Sequence, residues 1–389
     1  YLVVTANKNI FKFFSMAFER HRVCLLEKEP LAISRKRKKT AQIKLGNVLI
    51  GGGAPVVIQS MTNTDTRDVQ ATVAQIQQLT EAGCEVVRVA VPDTTAAQAI
   101  GEIKKEIRIP LVADVHFDYR LALAAQKNGA DGIRINPGNI GAPEIRKIIR
   151  AAKEYGTVIR LGVNSGSLEK EVARKYGGST AEALVESALR NIALFEEEGF
   201  PAIKLSLKSS DVPTMIEAYR MIAARTDYPL HLGVTEAGTL SDAAVKSALG
   251  IGILLYEGIG DTIRVSVTGN PLCEIPIAYG ILRSLRIRMV GPEIVSCPTC
   301  GRCEIDLCQL TEKIQNGLSG KKEYLKVALM GCVVNGPGEA ADADIGIAGG
   351  KRSGILFKKG EVVKKVKEED FVPVLLAEIN MMLDKSEEV

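Results

Sequence analysis

The chain has 389 residues, and its 50 Lys and Arg against 46 Asp and Glu give a formal net charge of +4. This even balance indicates no nucleic-acid partner, and no segment approaches the roughly 20 apolar residues that a membrane-spanning helix needs. Hydrophobic residues make up 46%, as in ordinary globular proteins, and the length exceeds what one core usually fills. We therefore expect one large domain and one smaller domain.

The first 40 residues end in a basic run from Arg35 to Lys39 and lack the apolar core and cleavage site of a secretory signal. We predict that residues 1–40 are a flexible leader. We assign residues 41–289 to the large domain and residues 290–389 to the small one.

From residue 55 onward, short β-branched apolar runs alternate with longer stretches of helical periodicity, several of which end on Gly. Eight apolar runs are predicted to be strands: 55–62, 84–91, 109–117, 131–138, 157–164, 202–209, 229–237 and 261–269. Strict βα alternation indicates a parallel sheet. Eight units within about 215 residues favour a closed (β/α)8 TIM barrel over an open doubly wound sheet.

Polar residues occur at or just beyond the C-terminal ends of nearly all these strands, which meet on one face of a barrel. Buried arginines need an anion or fixed carboxylates, and the planar guanidinium group suits phosphate. The predicted diphosphate site consists of Arg88, Arg134, Arg160 and Arg264. Asp114 and His116 share one face of a strand, and they are candidates for acid–base chemistry or for holding the arginines. Other polar residues at strand ends are Asn139, Asn164, Lys204, Lys208, Glu236 and Ser266.

Cysteines cluster after the composition changes near residue 290. Cys297 and Cys300 form a CxxC step, and Cys332 opens the segment GCVVNGPGEA, in which a Gly-Pro-Gly turn precedes Glu339. Such clustering favours a metal or cluster site in a reducing compartment over disulfides. Three thiolates and one carboxylate would fill four coordination positions.

Other interpretations of these cysteines stay open. Cys303 and Cys308 could supply further thiolates for a structural zinc ion. A ferredoxin-type run fits poorly, because the step from Cys303 to Cys308 is five residues and no Pro follows Cys308. A thioredoxin-type redox pair would need a different strand–helix context.

Nine short motifs together resemble one enzyme family: SCPTCGR, MGCVVNGPGEA, SMTNT, RVAVP, ADVHFDYR, RINPGNIG, LGVNSGSLE, LHLGVTEAG and EGIGDTIRVS. From about residue 40 to about residue 385, the chain resembles 4-hydroxy-3-methylbut-2-enyl diphosphate synthases. The resemblance implies a barrel followed by a small α+β domain that carries a 4Fe-4S cluster. It also implies the two-electron ring opening of 2-C-methyl-D-erythritol 2,4-cyclodiphosphate in isoprenoid precursor biosynthesis.

The same resemblance implies residue roles. Cys297, Cys300, Cys332 and Glu339 would be the cluster ligands, and the carboxylate of Glu339 would leave one iron exchangeable. The catalytic candidates are Glu339, Glu236, Asp114 and His116. The substrate-binding candidates are Arg88, Arg134, Arg160, Asn164, Lys204, Arg264 and Ser266.

The resemblance also implies partners for the chain. It indicates flavodoxin or ferredoxin as the electron donor. The reducing compartment that the cysteines favour indicates a cytoplasmic location. The resemblance further implies a head-to-tail homodimer in which the cluster of one chain faces the barrel mouth of the other.

Two functions of other classes compete with this one. A barrel hydrolase or pterin-type transferase with a structural zinc ion would use Cys308 as its fourth thiolate. An electron carrier or a nucleic-acid-binding cluster protein would leave the polar residues at the barrel mouth without a role.

Overall fold

The larger domain is built from eight parallel strands that alternate with helices. The computed structural model describes residues 36–332 and 340–387 of the chain. The barrel strands are β3 (Val57–Met61), β4 (Val86–Ala90), β5 (Leu111–Asp114), β6 (Gly132–Ile135), β7 (Val158–Asn164), β8 (Ile203–Lys208), β9 (His231–Leu232) and β10 (Thr262–Ile263). Each lies inside one of the predicted runs, so the predicted (β/α)8 barrel is confirmed.

The strand order is β8-β7-β6-β5-β4-β3-β10-β9. An isolated parallel bridge between Leu205 and Leu230 brings the two ends of this sheet together. The run predicted at 229–237 forms only a two-residue strand, because the chain then leaves the sheet in the loop that carries Glu236. The barrel is thus nearly closed around one interior.

The barrel helices are α1 (Val69–Glu81), α2 (Thr94–Glu106), α3 (Tyr119–Lys127), α4 (Ala142–Tyr155), α5 (Lys170–Lys175), α6 (Ala181–Glu197), α7 (Val212–Ala223), α8 (Leu240–Tyr256) and α9 (Glu274–Ser284). Four of them begin with an aspartate whose side chain accepts a hydrogen bond from a backbone N–H of the first turn: Asp68, Asp93, Asp118 and Asp211. Each such cap contributes about 1 kcal/mol and fixes the loop between strand and helix. Within the described ranges, no helix combines the length and apolar character needed to cross a membrane.

A β-hairpin closes the end of the barrel opposite the strand C-termini. Its strands, β1 (Ile43–Leu45) and β2 (Val48–Ile50), pair antiparallel, and Leu45 and Ile50 are buried against inward-facing valines of the barrel. This hairpin was not among the elements predicted from the sequence. Just before it, Arg37 and Thr40 each donate a 2.9 Å hydrogen bond to Asp261. Residues 1–35 of the predicted leader lie outside the described residues.

The C-terminal domain contains a five-stranded mixed sheet and two long helices. Its elements are β11 (Pro292–Ser296), α10 (Leu307–Gly317), β12 (Leu325–Met330), β13 (Ile345–Gly350), β14 (Ser353–Lys358), β15 (Glu361–Lys367) and α11 (Phe371–Glu387). Strands β11, β12 and β13 are parallel, whereas β14 and β15 continue the sheet antiparallel. Residues of α10 and α11 share an apolar core with this sheet. The predicted small α+β domain is therefore confirmed.

Candidate active site

The barrel interior carries a row of charged side chains on neighbouring strands. Asp114, Arg134, Arg160 and Lys204 are partners in register across β5, β6, β7 and β8, so their side chains project on the same side. Arg160 is only 2% exposed and Lys204 only 1%. Charges this deeply buried are costly unless they are compensated.

Asp114 is the carboxylate at the centre of this row. It lies 3.2 Å from Arg134 Nη1 and 3.5 Å from Arg88 Nε. His116 Nε2 lies 3.0 Å from Arg134 Nη1 and 3.6 Å from Asp114. Burial would raise the pKa of Asp114, but Arg88, His116 and Arg134 together hold the pKa well below its usual value. Asp114 is thus a permanently charged anchor for two arginines, as the sequence analysis allowed.

Arg264 has a carboxylate partner that the sequence analysis did not predict. Its Nη2 lies 3.1 Å from Glu274 Oε1, and Ser60 donates a 2.7 Å hydrogen bond to the other carboxylate oxygen. Glu274 belongs to the first turn of α9, so the search of strand ends could not find it. Arg88 and Arg264 also both point their guanidinium groups at Met61 Sδ.

Two glycines make room for the cationic side chains. A Cβ atom on Gly162 would lie 2.8 Å from Arg134 Nε, and a Cβ atom on Gly233 would lie 2.8 Å from Lys208 Nζ. Asn164, at the end of β7, accepts a 3.0 Å hydrogen bond from Arg134 Nη2 when its amide is oriented with the oxygen toward the arginine. Gly162 and Gly233 thus leave space for the side chains of Arg134 and Lys208 to extend across the barrel interior.

Several buried donors in this region have no hydrogen-bond partner among the described residues. They are Arg134 Nε, Arg160 Nε, Arg160 Nη1 and Lys204 Nζ. Burial, reinforced by neighbouring arginines, lowers the pKa of Arg160 and of Lys208 well below the usual values. Buried polar groups are nearly always satisfied in proteins, so these donors indicate an acceptor that enters from outside.

Three of the predicted residues lie nearer to solvent. His116 follows β5, Ser266 follows Arg264 by two residues and is half-buried, and Glu236 is exposed in the loop after β9. Glu236 has a backbone φ of 52°, in the left-handed region that non-glycine residues rarely adopt. Such strain persists where the surroundings enforce it and is common at functional sites.

His231 is a buried residue that the sequence analysis left out. Its Nδ1 lies 2.7 Å from Thr262 Oγ1, and its Nε2 has no partner among the described residues. Burial, together with Arg160 and Lys208, lowers the pKa of His231 well below its usual value, so the imidazole is neutral. In the sequence, His231 is one histidine within a mainly apolar run, so it did not stand out as a candidate functional residue.

Thiol groups gather at one edge of the C-terminal sheet. Cys297 directly follows β11, and Cys332 lies two residues beyond the end of the adjacent parallel strand β12. The N–H of Gly331 donates a 3.2 Å hydrogen bond to Cys297 Sγ. Cys303 also approaches Gly331 and donates a 3.3 Å hydrogen bond to the carbonyl of Ile305.

The donors at this edge fit an iron–sulfur cluster in their chemistry, because thiolates are its usual ligands. Within residues 36–332 and 340–387, no group of three or more His, Cys, Asp or Glu side chains is arranged to hold one metal ion. A 4Fe-4S cluster contains several iron atoms and is held by ligands around it, and thiolates are also common ligands of structural zinc. Glu339 lies outside the described residues. The ligand set of Cys297, Cys300, Cys332 and Glu339 stays a prediction.

Two family models match nearly the whole described chain. The model described as the GcpE TIM-barrel domain matches residues 40–279, and that of the GcpE protein C-terminal domain matches residues 293–381. The chain belongs to the GcpE family. The barrel with its cationic interior and the cysteine-bearing domain are therefore parts of one enzyme.

Curated members of the GcpE family are closely similar to this chain. A relative from Caldanaerobacter subterraneus subsp. tengcongensis is 59% identical over 90% of this chain and 99% of its own length. Relatives from Geobacter sulfurreducens and Thermodesulfovibrio yellowstonii are 55% and 57% identical over 89% and 88% of this chain, and 99% of their own lengths. All three are named 4-hydroxy-3-methylbut-2-en-1-yl diphosphate synthase (flavodoxin). The predicted family and enzyme class are confirmed.

Proposed function

We propose that this GcpE-family chain opens the ring of 2-C-methyl-D-erythritol 2,4-cyclodiphosphate by reduction. Two electrons and the loss of water would give 4-hydroxy-3-methylbut-2-enyl diphosphate, the compound for which its relatives are named. The product is a precursor of isoprenoids.

The observation that carries the proposal is the surplus of positive charge inside the barrel. Two carboxylates, Asp114 and Glu274, are bonded to arginines of this group. The basic side chains of the same region are Arg88, Arg134, Arg160, Lys204, Lys208 and Arg264, and the four arginines alone outnumber the two carboxylates. A bound diphosphate would supply the missing negative charge and accept hydrogen bonds from the guanidinium nitrogens of Arg134 and Arg160 that have no partner among the described residues.

The barrel residues would divide the remaining work. Asp114 and Glu274 would hold the arginines in place, and Asn164 would fix Arg134. Glu236 and His116 lie near the open end, where a carboxylate and an imidazole could exchange protons with the reacting end of the substrate. Ser266 would donate a further hydrogen bond to the substrate.

The cysteines would hold a 4Fe-4S cluster, with Cys297, Cys300 and Cys332 as thiolate ligands and Glu339 as the fourth. When bound, such a cluster supplies electrons one at a time. Cys297 and Cys332 lie at the ends of adjacent strands, which supports their joint use. The segment after the CxxC step is held to it by a 2.9 Å hydrogen bond from the Cys303 N–H to the Cys300 carbonyl.

We infer flavodoxin as the electron donor, as in the names of the relatives, and a cytoplasmic location. The cysteines in the described parts of the chain are all free: Cys84, Cys273, Cys297, Cys300, Cys303, Cys308 and Cys332. Free thiols in this number support a reducing compartment.

We further infer a head-to-tail homodimer in which each cluster serves the barrel of the other chain. Helix α8 exposes Val245, Leu249 and Tyr256, at 61%, 49% and 45%. They flank a mainly apolar groove of about 560 Å³ between α8 and α9. Exposed apolar faces of this kind are typical of protein interfaces. The variant Leu249→Glu should sediment as a monomer and lose turnover while it keeps its iron; an unchanged dimer would exclude this face.

Anaerobic turnover tests the proposed reaction. Purified protein supplied with reduced flavodoxin and the cyclic diphosphate should release the linear diphosphate, with two electrons consumed per product. Hydrolysis of the cyclic diphosphate without electron consumption would contradict the proposal.

A further inference from the structure

We propose that Lys204 binds a proton when the cyclic diphosphate enters the barrel, so that substrate binding and proton uptake are coupled. The identity of the anion rests on the proposed function. Lys204 is one of the substrate-binding candidates named above, and the new step is its change of protonation state on binding.

Lys204 lies deeper in the barrel than the other lysine of its strand. It is the second residue of β8, whereas Lys208 is the last, at the end where ligands bind in barrel enzymes. Four residues of strand separate their Cα atoms by about 13 Å. Lys204 Nζ is buried and has no hydrogen-bond partner among the described residues.

The charged groups that act on Lys204 are cationic. Arg160 faces it from β7 and Arg88 from β4. His231 on β9 is neutral, and Tyr219 of α7 binds the backbone of Leu207 and His231 through its hydroxyl group. The two nearby carboxylates are already engaged, Asp114 by Arg88 and Arg134, and Glu274 by Arg264 and Ser60.

Among these cations, a lysine is the group that relieves the repulsion by losing its proton. Guanidinium groups keep their protons in proteins, whereas buried lysines titrate readily. Burial, followed by the charges of Arg160 and Arg88, lowers the pKa of Lys204 to about 7. In the substrate-free protein at pH 8, most molecules therefore hold Lys204 uncharged.

The substrate reverses the sign of the local field. Each phosphorus of a cyclic diphosphate ester carries one strongly acidic hydroxyl group, so the ligand brings two fixed negative charges and does not itself titrate near neutral pH. A nearby opposite charge favours the protonated amine and raises its pKa. Lys204 then takes a proton from solvent and becomes a further counter-charge to the diphosphate.

Titration calorimetry measures this proton directly. The cyclic diphosphate is titrated, without an electron donor, into the protein at pH 8 in buffers of different ionisation enthalpy. We expect the heat to depend on the buffer, and Lys204 to account for about one proton taken up per site at pH 8 and for little at pH 6. Heats independent of the buffer at pH 8 would overturn the inference.

Variants assign the proton to Lys204. Lys204→Met should bind more weakly and take up about one proton fewer than the wild type at pH 8. Lys204→Arg should also take up about one proton fewer, because its guanidinium is already charged. Lys105→Met, on the exposed surface of α2, is the matched control and should leave the uptake unchanged. Unchanged uptake in both Lys204 variants would assign the proton to Lys208 or His231 and overturn the proposal.

The wild-type protein provides a second test that needs no variant. When the pKa of a group rises on ligand binding, the complex becomes weaker as the pH increases above the pKa that the group has in the ligand-free protein. The Kd should therefore be flat below pH 7 and increase by up to about tenfold per pH unit above it. A Kd independent of pH between 6 and 9 would contradict the coupling, and a complete lack of binding would remove the proposed function as well.

Discussion

The barrel and the C-terminal domain use the same feature, the C-terminal ends of parallel strands, but they hold their functional groups differently. In the barrel, Arg134 and Arg160 lie within strands and are fixed by neighbours in register. In the small domain, Cys297 and Cys332 lie in segments just beyond the strands. Hence the proposed anion site is formed by the fold alone, whereas we expect the geometry of the cysteines to depend more on what they bind.

The largest effect should come from Cys297→Ser. Loss of a thiolate should remove the cluster, its visible absorbance and all measurable turnover, while the barrel still binds the cyclic diphosphate. Hydrogen exchange should become faster in β12 and stay unchanged in the barrel strands, because a bound metal group stabilises mainly the segments that hold its ligands.

Cys308→Ser is the control for this variant, since Cys308 is an exposed residue of α10. It should keep the absorbance and the turnover of the wild type. Loss of iron in Cys308→Ser, with retention in Cys297→Ser, would show that the ligands have been assigned wrongly.

Arg160→Met should separate binding from stability. The loss of charge-assisted hydrogen bonds to phosphate should reduce kcat/KM by about 10²-fold or more. The free energy of unfolding should rise by about 1 kcal/mol or more, because an unpartnered buried cation is replaced by an apolar side chain. Urea titrations and steady-state kinetics measure the two effects; a destabilised variant with normal kinetics would contradict this role.

Asp114→Asn should destabilise the substrate-free barrel by about 3 kcal/mol, because Arg88 and Arg134 lose their common carboxylate. The depressed pKa of Asp114 gives a stability contribution that is complete above its unfolded pKa of about 3.9. In the wild type this contribution is lost as the pH falls through the lower, folded pKa. The variant should lack this part of the acid sensitivity, and urea unfolding as a function of pH measures it.

Gly162→Ala should have the smallest effect. The new methyl group would displace the guanidinium of Arg134, and we expect KM to increase by about tenfold with a smaller change in kcat. Gly166→Ala, where a Cβ atom meets nothing within 4 Å, is the matched control. Equal effects of the two substitutions would argue against a positioning role for Gly162.

The sequence predicted the barrel well because each strand is a β-branched run between helical segments. For the same reason, Arg88, Arg134, Arg160 and Arg264 were predicted as a group and Asp114 as a residue that could hold them, since these charged residues interrupt such runs. The eight strands are shorter than predicted, and the shortening is largest where the chain bends into a loop, as after β9, which ends at Leu232 before the loop that carries Glu236. Polar residues that follow a strand were included in the predicted strand, which made it appear longer in the sequence than it is in the structure.

Other parts of the site depend on contacts that a linear pattern does not contain. Glu274 reaches Arg264 from a helix, and its position in the sequence resembles an ordinary acidic residue in a first helical turn. The hairpin Ile43–Ile50 is too short to give a clear alternation, yet it fills the end of the barrel. The burial of Lys204 Nζ without a hydrogen-bond partner among the described residues likewise became evident only from the structure.

A crystal structure of the anaerobically purified protein with the cyclic diphosphate, recorded with iron anomalous scattering, tests the central claim most directly. We expect phosphate oxygens on Arg134 and Arg160 inside the barrel, and an iron peak beside Cys297 and Cys332 of the partner chain that faces the ligand. A diphosphate bound away from these arginines, or an iron peak remote from the cysteines, would contradict the account.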